Sequence, residues 1–592
     1  MPQSAARPST WGGDAMLGLA GALLAFGLHA LAGFPTLAAN GDNDSLLRLV
    51  EIRDLIGGQA WFDLHQYRMG PPGGFVMHWS RFVDVPIACF ILAVSALTGS
   101  QATGEKVALL AWTTPMMAVA LTFMLRIARS VRDDGTIMPA FIICAAALHF
   151  SGVFAPGNID HHNVQLTLCL AAITALMVGR GYEAGIAAGG ACALMLAIGM
   201  ETLPYVAIAG LIAAVIYLLG DRPEAARAAG FGTGLAGGGI AAFIATVPAS
   251  SWLSPHCDAY SIPQFAVAAI SGIGLTIAAI SPALGRSFHR KLATLLALGV
   301  AVAAVTVTAF PQCLADPYAG LDPKLQLLWL DHVSEAQPFW RVLSDNWAKA
   351  AGFYVTPILA LTMLGLRLRR SSDAAGWILM AFLTSAFAVS LWQVRGATFS
   401  LPLAAIALAG WVGEWRHRTA LTSDRMAMPR MAVVWLVSLN VTWSAAAHAA
   451  AALGKTEPAA LPAGTCERSA DYAFLAAQPP ATVLAISNLG APILARSPHG
   501  VLAGPYHRNV AGNLLALDAF TGTAEQARAI IQKNRIGLVA LCRGNAETAL
   551  VIGQAPTGLL AALVRSEPPD WLEKLPQQPA EPLEIYRVRP KP

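Results

Sequence analysis

Three separated stretches of this chain carry residue types that hold a cation or move a proton. The first is NGDNDS, with Asp42 and Asp44; the second is NIDHHN, with Asp160, His161 and His162; the third is DHVSEAQP, with Glu335. Carboxylates mixed with imidazoles suit a hard or borderline divalent ion, and a carboxylate beside a reacting hydroxyl or amide can take its proton. Each stretch alone has an ordinary explanation. Asp42 or Asn43 can cap the helix that starts there, the polar residues at 160–162 can cap another, and Glu335 can be a solvated loop acid. Their shared setting makes them a set. All lie where long apolar segments end, in a chain where a buried charge at bilayer depth costs about 2.5–3.5 kcal/mol on insertion scales.

The elements that must position them are membrane helices. Of 592 residues, 55% are hydrophobic and 12% charged, with a mean hydropathy of +0.54. A soluble domain carries about 25% charged residues, so a soluble globular enzyme is excluded. The net charge of +4 is spread over short loops and forms no basic patch, which argues against a nucleic-acid partner. Apolar runs long enough to span number about thirteen, near 14–36, 107–126, 137–155, 163–180, 184–200, 202–220, 228–248, 263–282, 292–310, 351–367, 375–391, 397–412 and 430–450. With a cytoplasmic N-terminus, the basic groups at 126–132, 180, 222–227, 286–291, 367–370 and 416–430 all fall on the cytoplasmic side. The expectation is a multi-pass protein of the cell inner (plasma) membrane.

Residues 83–100 are apolar enough to span, yet counting them would reverse every later loop. They are read as an interfacial or re-entrant helix in a long first external loop, 37–106. The first span, preceded by Arg7, is too long for a cleaved signal's apolar core of about 7–15 residues and is read as an anchor. Cys89, Cys144, Cys169 and Cys192 lie in apolar segments. Cys257, Cys313, Cys466 and Cys542 fall in expected external regions, where pairs 257–313 and 466–542 can form in an oxidising compartment. There is no CxxC, so these cysteines do not suggest zinc.

Two domains are expected: a transmembrane part at 1–451, with a late external loop at 311–350, and an extracytoplasmic tail at 452–592. Punctuation at 457–467 introduces strand-like runs at 481–487, 536–542 and 583–588, with a Thr-capped helix at 523–534. This reads as a small α/β domain. No GxGxxG follows a strand, so nothing supports nucleotide binding. The first loop also concentrates Asp63, His65, Tyr67, Arg68, His78, Trp79 and Arg81. His78 and Arg81 are candidates for an anionic phosphate headgroup, to which arginine offers planar paired donors; an ordinary interfacial belt is the alternative. In the tail, Tyr506, His507 and Arg508 sit on a turn that could face the membrane site and an acceptor.

The order of these stretches resembles the catalytic subunit of oligosaccharyltransferase, of the GT-C superfamily of lipid-phosphosugar-dependent glycosyltransferases. VSEAQP at 333–338 is similar to that family's SVSE motif, and IDHH at 159–162 to the DHH form of its second acidic motif in archaeal members. The family also has thirteen spans, an interfacial helix in its first external loop and an external C-terminal domain. The resemblance implies that Asp44, with Asp42 as the alternative, meets the metal and positions or activates the acceptor. It implies Asp160 and His162 as metal ligands, Glu335 as the late-loop acid at the metal, and Arg395 of WQVRGATF as a contact to the lipid phosphate or the acceptor. The implied cofactor is Mg or Mn, and the implied donor a polyprenyl-linked sugar held in membrane lipid. The tail has no WWDYG, the segment with which that family reads the Asn acceptor sequon, so the acceptor stays open.

These readings converge on an integral-membrane, metal-dependent glycosyltransferase. The rivals are a transporter or flippase of a lipid-linked saccharide and an inactive scaffold of the same fold. A transporter is expected to place polar residues near the midplane and to show repeated halves; this chain gathers its acids at helix ends and shows no repeat.

Overall fold

The computed structural model describes residues 11–39, 41–131, 135–315, 318, 320–453, 464–576 and 581–590. Arg7, Arg132 and most of the punctuated stretch at 457–467 lie outside them. Every expected apolar run coincides with helix over most of its length, and the protein is a mostly helical polytopic membrane protein with a sheet-containing C-terminal region. Ala397–Ala420 is the most enclosed helix, as apolar residues on all its faces require, whereas Phe288–Ala309 packs at the periphery.

The count of spans differs from thirteen. Among the described residues eleven helices are long and apolar enough to cross a membrane, or twelve with the last run, which bends by 83° between Ala427–Val437 and Asn440–Leu453. Ile137–Phe150 and His162–Met177 have only 14 and 16 residues. Conversely, Arg81–Thr98 has 18 residues and passes on length and composition, where the sequence placed an interfacial or re-entrant segment. Charge-based counting sees loops rather than lengths, so it cannot separate a short span from a long interfacial helix.

Gly181–Ile198 and Arg222–Thr246 meet through Gly185, Gly189, Gly230 and Gly234, where an added Cβ would collide with the partner backbone. Small residues at a membrane helix interface permit this approach.

In the C-terminal region the strands run in the order Gly500–Val501, Thr482–Leu484, Ile536–Cys542, Leu583–Val588, Leu572–Lys574. The first three are parallel; Leu583–Val588 is antiparallel to both its neighbours. The expected helix is Ala524–Lys533, closed by a capping box between Thr523 and Gln526. This region does not close a core of its own. Leu46, Leu47, Val50, Met69, Phe75, Met77 and Trp79 of the first loop pack into the same buried cluster as the sheet. Arg68 O accepts from Val501 N at 2.7 Å, and Gly70 N donates to Val501 O at 2.9 Å. Disulfides join Cys257 to Cys313 and Cys466 to Cys542, with Cα–Cα distances of 5.2 and 6.2 Å.

Candidate active site

Three segments bring acids to one recess. Helix Asn43–Ile56 starts at Asp42, whose carboxylate accepts from Ser45 N at 2.6 Å, and this cap puts Asp44 in the first turn. The chain between Ile137–Phe150 and His162–Met177 doubles back through Gly152 and Gly157, at φ of 76° and 100°, which a side chain would oppose. That turn delivers Asp160, His161 and His162. The late loop delivers Glu335 and is pinned by its backbone: Arg395 N donates to Glu335 O at 3.0 Å and Val394 N to Gln337 O at 2.9 Å. The Glu335 carboxylate lies 3.5 Å from the Arg395 guanidinium.

Asp42, Asp44, Asp160, His162, Glu335 and Arg395 line one cavity of about 610 Å³. A second cavity of about 490 Å³ opens toward the C-terminal region and shares Asp42, Asp44, Ser334 and Glu335 with the first. These four residues form a partition between two recesses. Lys349 and His448 also line the first cavity, and Asn488 and Glu547 the second; no motif in the sequence points to them.

Asp160 is buried, with one oxygen 2.5 Å from His161 Nδ1 and the other against His162 Nδ1. His161 reaches on to Glu201, Nε2 to Oε1 at 2.6 Å, and Gln165 donates to the same oxygen at 2.8 Å. Burial alone would lower the His161 pKa, but the flanking Asp160 and Glu201 carboxylates override it and raise it to about 10. His161 is thus held between two carboxylates and does not line the cavity, and His162, whose pKa burial would lower but Asp160 raises to about 8, is the ring that does. Glu201 lies 40 residues from His161 in an otherwise apolar run, and only the fold reveals it.

Burial would raise Asp160 as well, yet the two imidazoles hold it well below the usual carboxylate range. Asp44 moves the other way, pushed well up by burial and then by Asp160, Glu335 and Asp42. Its carboxylate takes no hydrogen bond or ion pair from a described residue. Asp42 is raised by burial and by Asp160. The ligand atoms of Asp160, His161 and His162 lie within 4.8 Å of one another. Asp44 and Glu335 face the cavity from other walls, outside that close group.

The remaining candidates stand elsewhere. Arg81 is buried with both Nη nitrogens engaged: it donates to Asp84 and to Glu51 O at 3.2 Å each, to Gln59 at 3.0 Å and to Asp63 O at 2.8 Å. His78 and Arg81 line a separate cavity of about 140 Å³, away from the acids. Tyr506 is buried behind the first acids and donates its hydroxyl to Asn43 O at 2.9 Å. His507 and Arg508 turn to Asp258, at 2.8 Å from His507 Nε2 and 2.7 Å from Arg508 Nε. Internal partners claim Arg81, Tyr506, His507 and Arg508, and neither these nor His78 line the acid-bearing cavities.

No family model matches the sequence, and no curated protein matches it. Solved structures do. The apo oligosaccharyltransferase of Archaeoglobus fulgidus superposes with a TM-score of 0.65 at 14% identity, covering 89% of this chain and 69% of that one. The same organism's AglB, in complex with an inhibitory peptide and a dolichol-phosphate, gives 0.61 at 15% identity over 96% and 74%. Its complex with Zn and sulfate gives 0.57 at 14% over 93% and 69%. The chain therefore has a GT-C, oligosaccharyltransferase-like fold.

Proposed function

We propose that this chain is an integral-membrane glycosyltransferase that moves a sugar or oligosaccharide from a polyprenyl-(pyro)phosphate donor to an acceptor on the extracytoplasmic side. The observation that carries this reading is the partition. Acids from three distant segments stand between two recesses, so a donor in one and an acceptor in the other would meet at Asp44. The archaeal neighbour's complex with a dolichol-phosphate supports a lipid-phosphate donor.

The residues fit a divalent ion. Asp160 and His162 offer a carboxylate and an imidazole at close quarters, and Asp42, Asp44 and Glu335 add like charge that a cation would relieve. Mg or Mn suits the carboxylates, and when bound supplies charge neutralisation to the departing phosphate. The chain's own residues do the rest. Arg395 faces the cavity with its charge half-spent on Glu335 and stabilises the phosphate oxygens as they gain charge. Asp44 orients the acceptor hydroxyl or amide and takes its proton. The anomeric carbon's bond to the donor oxygen breaks, the phosphate leaves with the electron pair, and the acceptor atom closes the new bond.

This function places the N-terminus in the cytoplasm and the C-terminal region outside, in the cell inner membrane. The test compares cells lacking the protein with cells carrying Asp44→Asn or Asp160→Asn. Loss of a glycoconjugate with build-up of its lipid-linked donor on the outer leaflet supports the transferase. Build-up on the cytoplasmic leaflet overturns it in favour of a flippase.

A further inference from the structure

A second group of ligand-type residues lies outside the acid-bearing cavities. His78 comes from the first loop, Asp258 from the connection between Arg222–Thr246 and Ile262–Ile280, and His507 from the C-terminal region. One ligand atom from each lies within 4.8 Å of the other two. Donor atoms around a tetrahedral ion with bonds of about 2.0–2.1 Å stand about 3.3 Å apart, so side-chain adjustment alone closes the group.

Two further observations separate this group from a chance ion pair. The His78 ring makes no hydrogen bond to a described residue, and its buried Nδ1 has no partner. It lies against His507 with ring centroids 4.6 Å apart, an arrangement that an intervening cation would organise. Asp258 is also held as metal-bound carboxylates are held: Arg508 donates Nε to one oxygen at 2.7 Å and Nη2 to the other at 2.8 Å, fixing the plane. A carboxylate has about four lone-pair sites, and these bonds with His507 leave one for an ion.

We propose that His78, Asp258 and His507 bind a zinc-class divalent ion. Two imidazoles and one carboxylate form a borderline donor set that favours zinc over magnesium, with water completing the tetrahedron. On binding, the proton on His507 Nε2 leaves or moves to Nδ1, and the freed lone pair turns from Asp258 to the ion. The ion ties three segments together. Next to His78, Trp79 packs on Tyr506 and His161, so the tie stands directly behind the acid cluster. Next to Asp258, the Cys257–Cys313 bridge fastens the start of the late loop.

The test uses the full-length protein in detergent, stripped with chelator and then given Zn2+ alone. The background is His162→Gln, so that the acid-bearing cavity does not contribute. Expected results are retention of one ion per chain after desalting, a rise in Tm on adding Zn2+, and a visible absorption band when Co2+ replaces it. His78→Gln and His507→Gln in that background lose the ion and the Tm response. Either variant suffices should the other fail to purify. Should both fail, the Zn2+ titration and Co2+ spectrum of the background protein decide. Absence of retained Zn2+ in that protein, or unchanged Zn2+ retention in a purified His78→Gln or His507→Gln protein, overturns the proposal.

Discussion

Two patches of charge meet at Arg48, and they are built on opposite terms. On one side Arg48 and Arg81 share Asp84, with Arg48 Nη1 donating at 2.6 Å, and all three side chains are almost wholly buried. Arg48 also lies over the Trp79 ring at 4.5 Å. On the other side its Nη2 approaches His161 at 3.2 Å and Asp160 at 3.8 Å, where the acid-bearing cavity begins. Beyond that point Asp42, Asp44 and Glu335 crowd one another, and among the described residues only Glu335 of the three has an ion-pair partner, Arg395 at 3.5 Å. Matched charge belongs to the scaffold. Excess negative charge at an open recess marks where a ligand supplies what the chain withholds.

The comparison breaks most visibly at Arg48. Arg48→Ala leaves the buried Asp84 to Arg81 alone and takes the guanidinium away from Asp160, and removing one partner from a buried ion cluster costs up to about 3–5 kcal/mol; thermal melts of the purified protein should show a large loss. Asp44→Asn should do the reverse. Transfer should fall by about 10²–10³-fold, the range for loss of one preorganised charge group, while Tm holds or rises as like-charge repulsion is relieved. A Tm loss rivalling that of Arg48→Ala would erase the distinction between the two patches.

Glu51 sharpens the border. It is buried beside Asp84, Arg48 and Arg81, and burial followed by Asp84 raises its pKa to about 8, against 4.5 ordinarily. The folded state therefore binds a proton that the unfolded chain releases above about pH 4.5, so this group makes stability fall as pH rises from 4.5 toward 8. Glu51→Gln should flatten that part of the stability–pH curve, and a variant with the wild-type slope counts against the assignment. The smallest effect belongs to Asp42. Asp42→Ala removes a helix cap worth about 1 kcal/mol, whereas Asp42→Asn keeps the cap and most of the transfer activity. Abolished transfer in Asp42→Asn would move the acid's role from Asp44 to Asp42.

The sequence exposes features whose parts are neighbours and hides those whose parts are distant. Asp160 and His162 are visible as a set because a single residue separates them. Glu201 is hidden because nothing in an apolar run announces that it faces a histidine 40 positions earlier. The Ile536–Cys542 and Leu583–Val588 strands show as apolar runs, while Gly500–Val501 and Leu572–Lys574 are too short to carry a period. Arg81 is misleading for a physical reason: its type advertises a phosphate contact, yet it is buried and both its Nη nitrogens are committed to the protein.

Two short apolar helices carry a consequence for the lipid around them. At about 1.5 Å per residue, Ile137–Phe150 and His162–Met177 reach about 21 and 24 Å, less than a hydrocarbon core of about 30 Å. The turn joining them, with Asp160 on it, stands level with the ends of its longer neighbours only if the opposite helix ends stop short of the far boundary or the bilayer thins around them. Acyl-chain length thus becomes a lever on the proposed reaction: in vesicles of graded thickness, turnover of a polyprenyl-phosphate donor should peak at the thickness that matches the depth of Asp160.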